Sequence, residues 1–167
     1  KVFLSETLMA EKKAAFLVLG AGAWGTAIGS RLAGHSSVNV RLWSRSERLV
    51  KPINESRVNQ DYLPEIQLSE NLIASSNLAD LIGWLKNEPD DTIKCLLLAI
   101  PSKGFYHVCS QLQQFNIQNL IFVSLCKGVV FLEGKNYFPS EIIKQHFPKN
   151  DVCILSGPSF ANEVARG

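Results

Sequence analysis

The chain has 167 residues, with 17 Lys and Arg against 15 Asp and Glu, and 46% of its residues are hydrophobic. That composition excludes a disordered chain and suffices for one core-forming domain with little left for a second. No long block of like charge exists to make a nucleic-acid surface or an acidic tail, and the longest apolar stretches fall far short of the roughly 18 residues that span a bilayer.

Residues 1–13 read as an N-terminal tail: Met9 before Ala-Glu-Lys-Lys resembles a translation start, and residues 1–8 lack the apolar core and cleavage signal of a secretory leader. Residues 15–19 are a short apolar run ending at Gly20, which predicts a strand buried on both faces. A helix over 26–33 follows, closed by Gly34, then a strand over 38–43 and a helix over 47–56 capped by Ser46. A polar loop from Arg57 carries Asn59-Gln60-Asp61-Tyr62-Leu63-Pro64. Next come a weak strand near 72–74, a helix over 78–86 behind Asn77, and a turn at 87–91. Residues 93–100 make the strongest strand, which Pro101 ends. The rest reads as helix 106–114, strand 120–125, helix 140–147 stopped by Pro148, strand 152–155, and the opening turns of a helix over 160–166. Strands alternating with helices at these lengths predict an α/β fold, a doubly wound and mostly parallel sheet.

The four cysteines, at 95, 109, 126 and 153, show no CxxC spacing, and three lie in or beside apolar runs. They read as reduced core thiols, which makes the cytoplasm the default compartment and leaves no metal site. The three histidines are widely separated and lack a nucleophile partner.

Gly20-Ala21-Gly22-Ala23-Trp24-Gly25 is a G-x-G-x-x-G that directly follows a buried strand and opens a helix, which is the context a dinucleotide turn of the Rossmann type requires. Gly20 permits the tight turn, Gly22 lets the backbone approach a pyrophosphate, and Gly25 lets the helix pack closely. The first helical amides then face the phosphates. About 20 residues further on, where an NAD-selective fold carries Asp or Glu, stands Ser44-Arg45-Ser46. An Arg there can pair with a 2′-phosphate, so NADPH is expected to be at least tolerated beside NADH.

GAGAWGTA (20–27), NQDYLP (59–64), LLLAIPS (96–102), CKGV (126–129) and LSGPSFANEVARG (155–167) together resemble the NAD(P)-dependent glycerol-3-phosphate dehydrogenases of the bacterial type. The match runs in order over residues 14–167, expected to be the dinucleotide-binding domain, and its terminal stretch is more specific than the glycine loop. The resemblance implies interconversion of sn-glycerol 3-phosphate and dihydroxyacetone phosphate for phospholipid synthesis. It puts the loop with Ala23 and Trp24 on the pyrophosphate, Arg45 near the adenosine 2′ position, and Ala161 on the cofactor. It puts Lys127 between cofactor and substrate, and Gly157 and Ser159 on the substrate. By position alone, Lys127 and the 157–159 segment follow apolar strands, at the ends where parallel sheets bind ligands. As a helix cap, Ser159 would serve structure equally well.

The chain departs from the family in having Cys126 where Ser is usual, Val130 where an acidic residue is common, and Asn77 for a capping Asp. Its 131–138 segment is unlike the usual run, and 82–92 is longer. Family members continue into a second, mainly helical domain that supplies the proton-handling lysine, so that lysine is expected beyond Gly167 and no catalytic residue within 1–167. The full-length protein is expected to be a cytoplasmic homodimer without a membrane span. The alternatives are a non-catalytic dinucleotide-binding regulatory module and another hydroxyacid- or phosphogluconate-type dehydrogenase. GPSFANEV speaks against the latter, and a chain that stops inside a helix speaks against the former.

Overall fold

The computed structural model describes residues 13–157 and 160–166. Residues 1–12 of the expected 1–13 tail, and Ser159, lie outside the described residues. In chain order the strands are β1 (Ala14–Leu19), β2 (Val38–Trp43), β3 (Ile73–Ser75), β4 (Ile93–Leu98), β5 (Ile121–Ser124), β6 (Val130–Leu132), β7 (Lys135–Tyr137) and β8 (Val152–Ile154). The helices are α1 (Ala23–Ala33), α2 (Glu47–Glu55), α3 (Leu78–Asn87), α4 (Ser102–Leu112), α5 (Pro139–His146) and α6 (Ala161–Arg166).

Six strands form one parallel sheet in the order β3-β2-β1-β4-β5-β8. The chain therefore winds outward from β1 through β2 to β3, then crosses back to build β4, β5 and β8 on the other side. Such a reversal between β1 and β4 leaves a crevice at the carboxyl ends of the strands, where open α/β sheets bind their ligands. The expected doubly wound sheet is present, with β1 in its interior.

Alternation along the strands divides the core in two. Ala15, Leu17 and Leu19 of β1 join Leu96 and Leu98 of β4 on one face, covered by Leu81, Ile82 and Leu85 of α3, Phe105 and Val108 of α4, and Ile142 and Ile143 of α5. Val18, Leu42, Cys95 and Leu97 line the other face under Ala27 and Ala33 of α1, Leu49 and Ile53 of α2, and the inner side of α6. Phe105 and Phe122 are among the largest wholly buried side chains, and Phe122 stacks on Phe147 at 4.6 Å between ring centres. Truncating either phenylalanine to alanine would cost about 3–5 kcal/mol.

Several element boundaries differ from the sequence reading. Helix α1 begins at Ala23, three residues before the expected start, because Gly22 takes the cap position with extended dihedrals. Helix α4 begins at Ser102 rather than 106, directly after Pro101, whose fixed φ suits a helix entry. Ser46 occupies the cap of α2 without a side-chain cap bond. Instead its N–H and C=O are both engaged by the Ser44 hydroxyl. Asn77 caps α3 as expected, its Oδ1 accepting from the amides of Ala79 and Asp80. Residues 130–137 form an antiparallel hairpin of β6 and β7 that was not expected, turning through Glu133 and Gly134 at positive φ.

Cys95 and Cys109 are core thiols, as predicted, but Cys126 is half-buried and Cys153 is exposed on the edge strand β8. Burial, with a smaller contribution from Cys153, pushes the Cys95 thiol up to about 11. Burial, with a smaller contribution from Cys126, pushes the Cys109 thiol up to about 12. A folded-state value above the unfolded one means that the native chain holds protons which the unfolded chain has released. Stability from these two thiols is therefore complete below the ordinary value of 9.0 and is lost as pH rises toward about 11 and 12. Under reducing conditions, urea unfolding of the wild type should weaken between pH 8 and pH 10.5 by more than that of a Cys95→Ala/Cys109→Ala variant, at no more than about 1.4 kcal/mol per pH unit per thiol. Equal losses in the two proteins would contradict the assignment.

Candidate functional site

The crevice is built around the turn that joins β1 to α1. Gly20 has φ +112°, a conformation that L side chains rarely adopt, and a Cβ on it would stand 2.5 Å from the Ala99 carbonyl oxygen. At Gly25 a Cβ would stand only 1.9 Å from the Gly20 carbonyl oxygen and 3.0 Å from the Ala99 Cβ. These two glycines let α1 start hard against the turn and against the end of β4. Gly22 is different: a Cβ there would meet nothing within 4 Å, so the turn is open on that side.

Helix α1 starts with Thr26 N–H donating to Gly22 O at 2.9 Å. The amides of Ala23, Trp24 and Gly25 precede that bond and have no carbonyl four residues back within the helix. Gly22 provides no side-chain cap, and the first turn carries no acidic residue. Amides so placed, at the positive end of an 11-residue helix, bind an anion such as a pyrophosphate, and the open side at Gly22 lets it come close.

Register aligns the other candidates with this turn. Leu19, Trp43 and Leu98 are partners across β1, β2 and β4, and Gly20 N–H donates to Trp43 O at 3.0 Å. Arg45 lies two residues beyond the end of β2 and is exposed, with no hydrogen-bond or ion-pair partner among the described residues. The buried Ser44 hydroxyl holds the bend, accepting from Ser46 N–H and donating to Ser46 O. The neighbouring Arg48 is committed to a fork-like pair with Asp61, which raises its already high pKa through hydrogen bonding and charge.

Lys127 is three residues past β5, and its ammonium lies 5.7 Å from the centre of the Trp24 ring. Thus β4 separates β1 from β5, yet a side chain from the glycine turn meets one from the loop after β5. A cation over an aromatic face at an exposed site is worth about 0.5–1 kcal/mol. The Trp24 Nε1 is buried with no hydrogen-bond partner among the described residues, so the turn holds an unused donor. Beside Lys127, burial raises the Cys126 pKa, and its thiol points to the Lys127 carbonyl at 3.9 Å.

Gly157 lies in the loop after β8, and Ala161 opens α6, which packs against α1. Gly20, Gly22, Ala23, Trp24, Gly25, Arg45, Lys127 and Ala161 therefore all fall at the carboxyl end of the sheet or on the helix leaning on it. A surface depression lined by Lys86, Asp90, Thr92 and Lys94 lies at the opposite end, before and at the start of β4, away from these groups. Among the described residues no group of three or more His, Cys, Asp or Glu could hold a metal ion, and no helix is long and apolar enough to cross a membrane. Sequence reasoning missed Asn59 as part of this site. It is wholly buried and bonds to Ala21 and Thr26 of the turn. Its position in the NQDYLP stretch, among polar residues, was the available signal.

Residues 15–167 match the family described as NAD-dependent glycerol-3-phosphate dehydrogenase N-terminus. The chain is 37% identical over 150 residues to the glycerol-3-phosphate dehydrogenase [NAD(P)+] of Ehrlichia ruminantium (strain Gardel), which covers 89% of this chain and 43% of that protein. The enzyme of the same name from Ehrlichia chaffeensis is likewise 37% identical over 150 residues, again covering 89% and 43%. Among solved structures, glycerol-3-phosphate dehydrogenase from Coxiella burnetii superposes with a TM-score of 0.78 at 28% identity, over 92% of this chain and 44% of that one. The chain thus spans less than half the length of these relatives.

The second and third glycines of the motif separate structure from access. Gly25→Ala should lose about 3 kcal/mol or more in urea unfolding, because a backbone oxygen must move. Gly22→Ala should stay within about 1 kcal/mol of wild type, the loss being that of a glycine cap. Equal destabilisation of both would mean that the turn is not built as described.

Proposed function

The chain belongs to the NAD-dependent glycerol-3-phosphate dehydrogenase N-terminal family, and from that premise we propose that residues 14–167 are the cofactor-binding domain of an enzyme interconverting sn-glycerol 3-phosphate and dihydroxyacetone phosphate, for phospholipid synthesis. The observation that carries this reading is the glycine turn itself, with three helical amides and an open face at Gly22, located at the point where the strand order reverses. A nicotinamide dinucleotide fits these residues, and when bound it supplies or accepts the hydride.

The residues of this chain then divide the work. The amides of Ala23, Trp24 and Gly25 take the pyrophosphate, and the helix dipole favours its charge. Gly20 and Gly25 hold the turn, Ala161 closes the cofactor side from α6, and Arg45 faces the adenosine 2′ position. Lys127 stands beside the Trp24 ring at the end of β5. An ammonium there stabilises an oxygen that becomes anionic as a ketone is reduced. Gly157 and Ser159 follow β8 and are assigned to the substrate edge. The substrate is a small phosphate ester, and the working enzyme is taken to be a cytoplasmic homodimer, an inference from the family resemblance. The reading is tested by NADH and NADPH titration of the chain and by oxidation of NADPH on adding dihydroxyacetone phosphate to the full-length protein. Failure of the chain to bind either dinucleotide would overturn it.

Cofactor choice follows from Arg45. A guanidinium fork forms charge-assisted hydrogen bonds to a 2′-phosphate, and an exposed pair of this kind is worth about 1–2 kcal/mol, or roughly five- to thirtyfold in affinity. NADPH should therefore bind at least as tightly as NADH, with the advantage shrinking as salt rises. Arg45→Asp should weaken NADPH selectively and leave NADH within a few-fold. A clear preference of the wild type for NADH, or equal weakening of both cofactors, would leave Arg45 as a solvated charge.

A further inference from the structure

Asn59 lies far from the glycine turn in sequence, on the loop between α2 and β3, yet its side chain reaches into the turn. Its Nδ2 donates to the Ala21 carbonyl at 2.9 Å and to the Thr26 hydroxyl at 2.8 Å. The amide orientation is set by chemistry, since a backbone carbonyl only accepts and the atom beside it must be the nitrogen. Both amide hydrogens are thus spent on the turn. The residue is wholly buried, and its Oδ1 is buried without a partner among the described residues.

The mounting of Asn59 is stiff. Its own carbonyl accepts from Tyr62 N–H at 3.2 Å and Leu63 N–H at 2.8 Å, and Leu63 is buried in the core beneath α1 and α2. The Arg48–Asp61 pair ties the outer side of the loop to α2, and Leu68 N–H donates to Arg57 O at 2.8 Å to close its base. A closed, anchored loop therefore presents one polar side chain to the turn.

In a trans peptide the C=O and N–H lie in one plane and point in opposite directions. Fixing the Ala21 oxygen on Asn59 consequently turns the Gly22 N–H the other way. Gly22 lacks a Cβ and has open space beside it, so little else on its own side would resist a flip of this peptide. We infer that Asn59 is a positioning residue that locks the Ala21–Gly22 peptide with its N–H directed at the pyrophosphate site. This rests on the dinucleotide reading above. It goes further by assigning the preorganisation of the turn to a side chain outside the glycine motif.

The test compares Asn59→Ala with Asn150→Ala, titrating NADH into each and following unfolding in parallel. Asn150 is a suitable control because it is also buried and donates to one backbone carbonyl, Leu120 O at 2.9 Å, at the far end of the sheet. Asn59→Ala should lose at least tenfold in NADH affinity while folded, and Asn150→Ala should keep its affinity within about twofold at a comparable loss of melting temperature. Folded Asn59→Ala binding NADH like wild type would overturn the inference, as would an equal affinity loss in Asn150→Ala. If Asn59→Ala fails to fold, the wild-type amide spectrum decides. The Gly22 N–H should be sharp without ligand and shift on saturation with NADH, and a Gly22 signal that does not respond overturns the inference. Failure of the wild-type chain to bind NADH at all would instead remove the functional reading beneath it.

Discussion

A side chain at Gly25 would collide with the Gly20 carbonyl at 1.9 Å, and one at Gly20 with the Ala99 carbonyl at 2.5 Å. The β1–α1 junction can be this short only because both positions carry hydrogen alone. From that junction follows the direction of α1, with its free amides over the end of β1 and its inner face on the second core. The same closeness brings the end of β4 against the turn, so the reversal of strand order and the helix start share one small volume.

Much of the molecule can be understood as holding that volume still. The two faces of the sheet bury separate clusters, and β1 and β4 contribute to both. A shift of β1 by one residue would exchange its faces and break both clusters together. Long-range groups then finish the site: Asn59 from one loop, Lys127 from another, and α6 returning to lie on α1. Each is separated from the turn by tens of residues, so the site exists only in the folded chain.

How much of this was legible depended on the range of the interaction. The strands of the sheet showed as apolar runs because parallel strands covered on both sides need no polar alternation. The glycine motif was readable because its demands are local, a positive φ at Gly20 and a missing Cβ at Gly25. The start of α4 was hidden because Ser102-Lys103-Gly104 after a proline has the composition of a loop, whereas the packing of Phe105 and Val108 pays for the helix. The β6–β7 hairpin escaped because three-residue strands give too little alternation, although Glu133-Gly134 between two apolar-containing segments was a turn signal. The Trp24–Lys127 contact could not be read at all, since it is a product of tertiary packing, and the NQDYLP stretch marked Asn59 without showing that it reaches the glycine turn. Cys153 misled for a related reason: an apolar run on an edge strand looks the same as one in the sheet interior.

The account stands on the pyrophosphate being held by the helix amides at the β1–α1 turn. The most direct measurement is a crystal structure of the chain with NADPH. It should place the pyrophosphate oxygens within hydrogen-bonding distance of the Ala23, Trp24 and Gly25 amides, beside the open face of Gly22. A dinucleotide found instead at the amino ends of the strands, against Lys86 and Lys94, would contradict it.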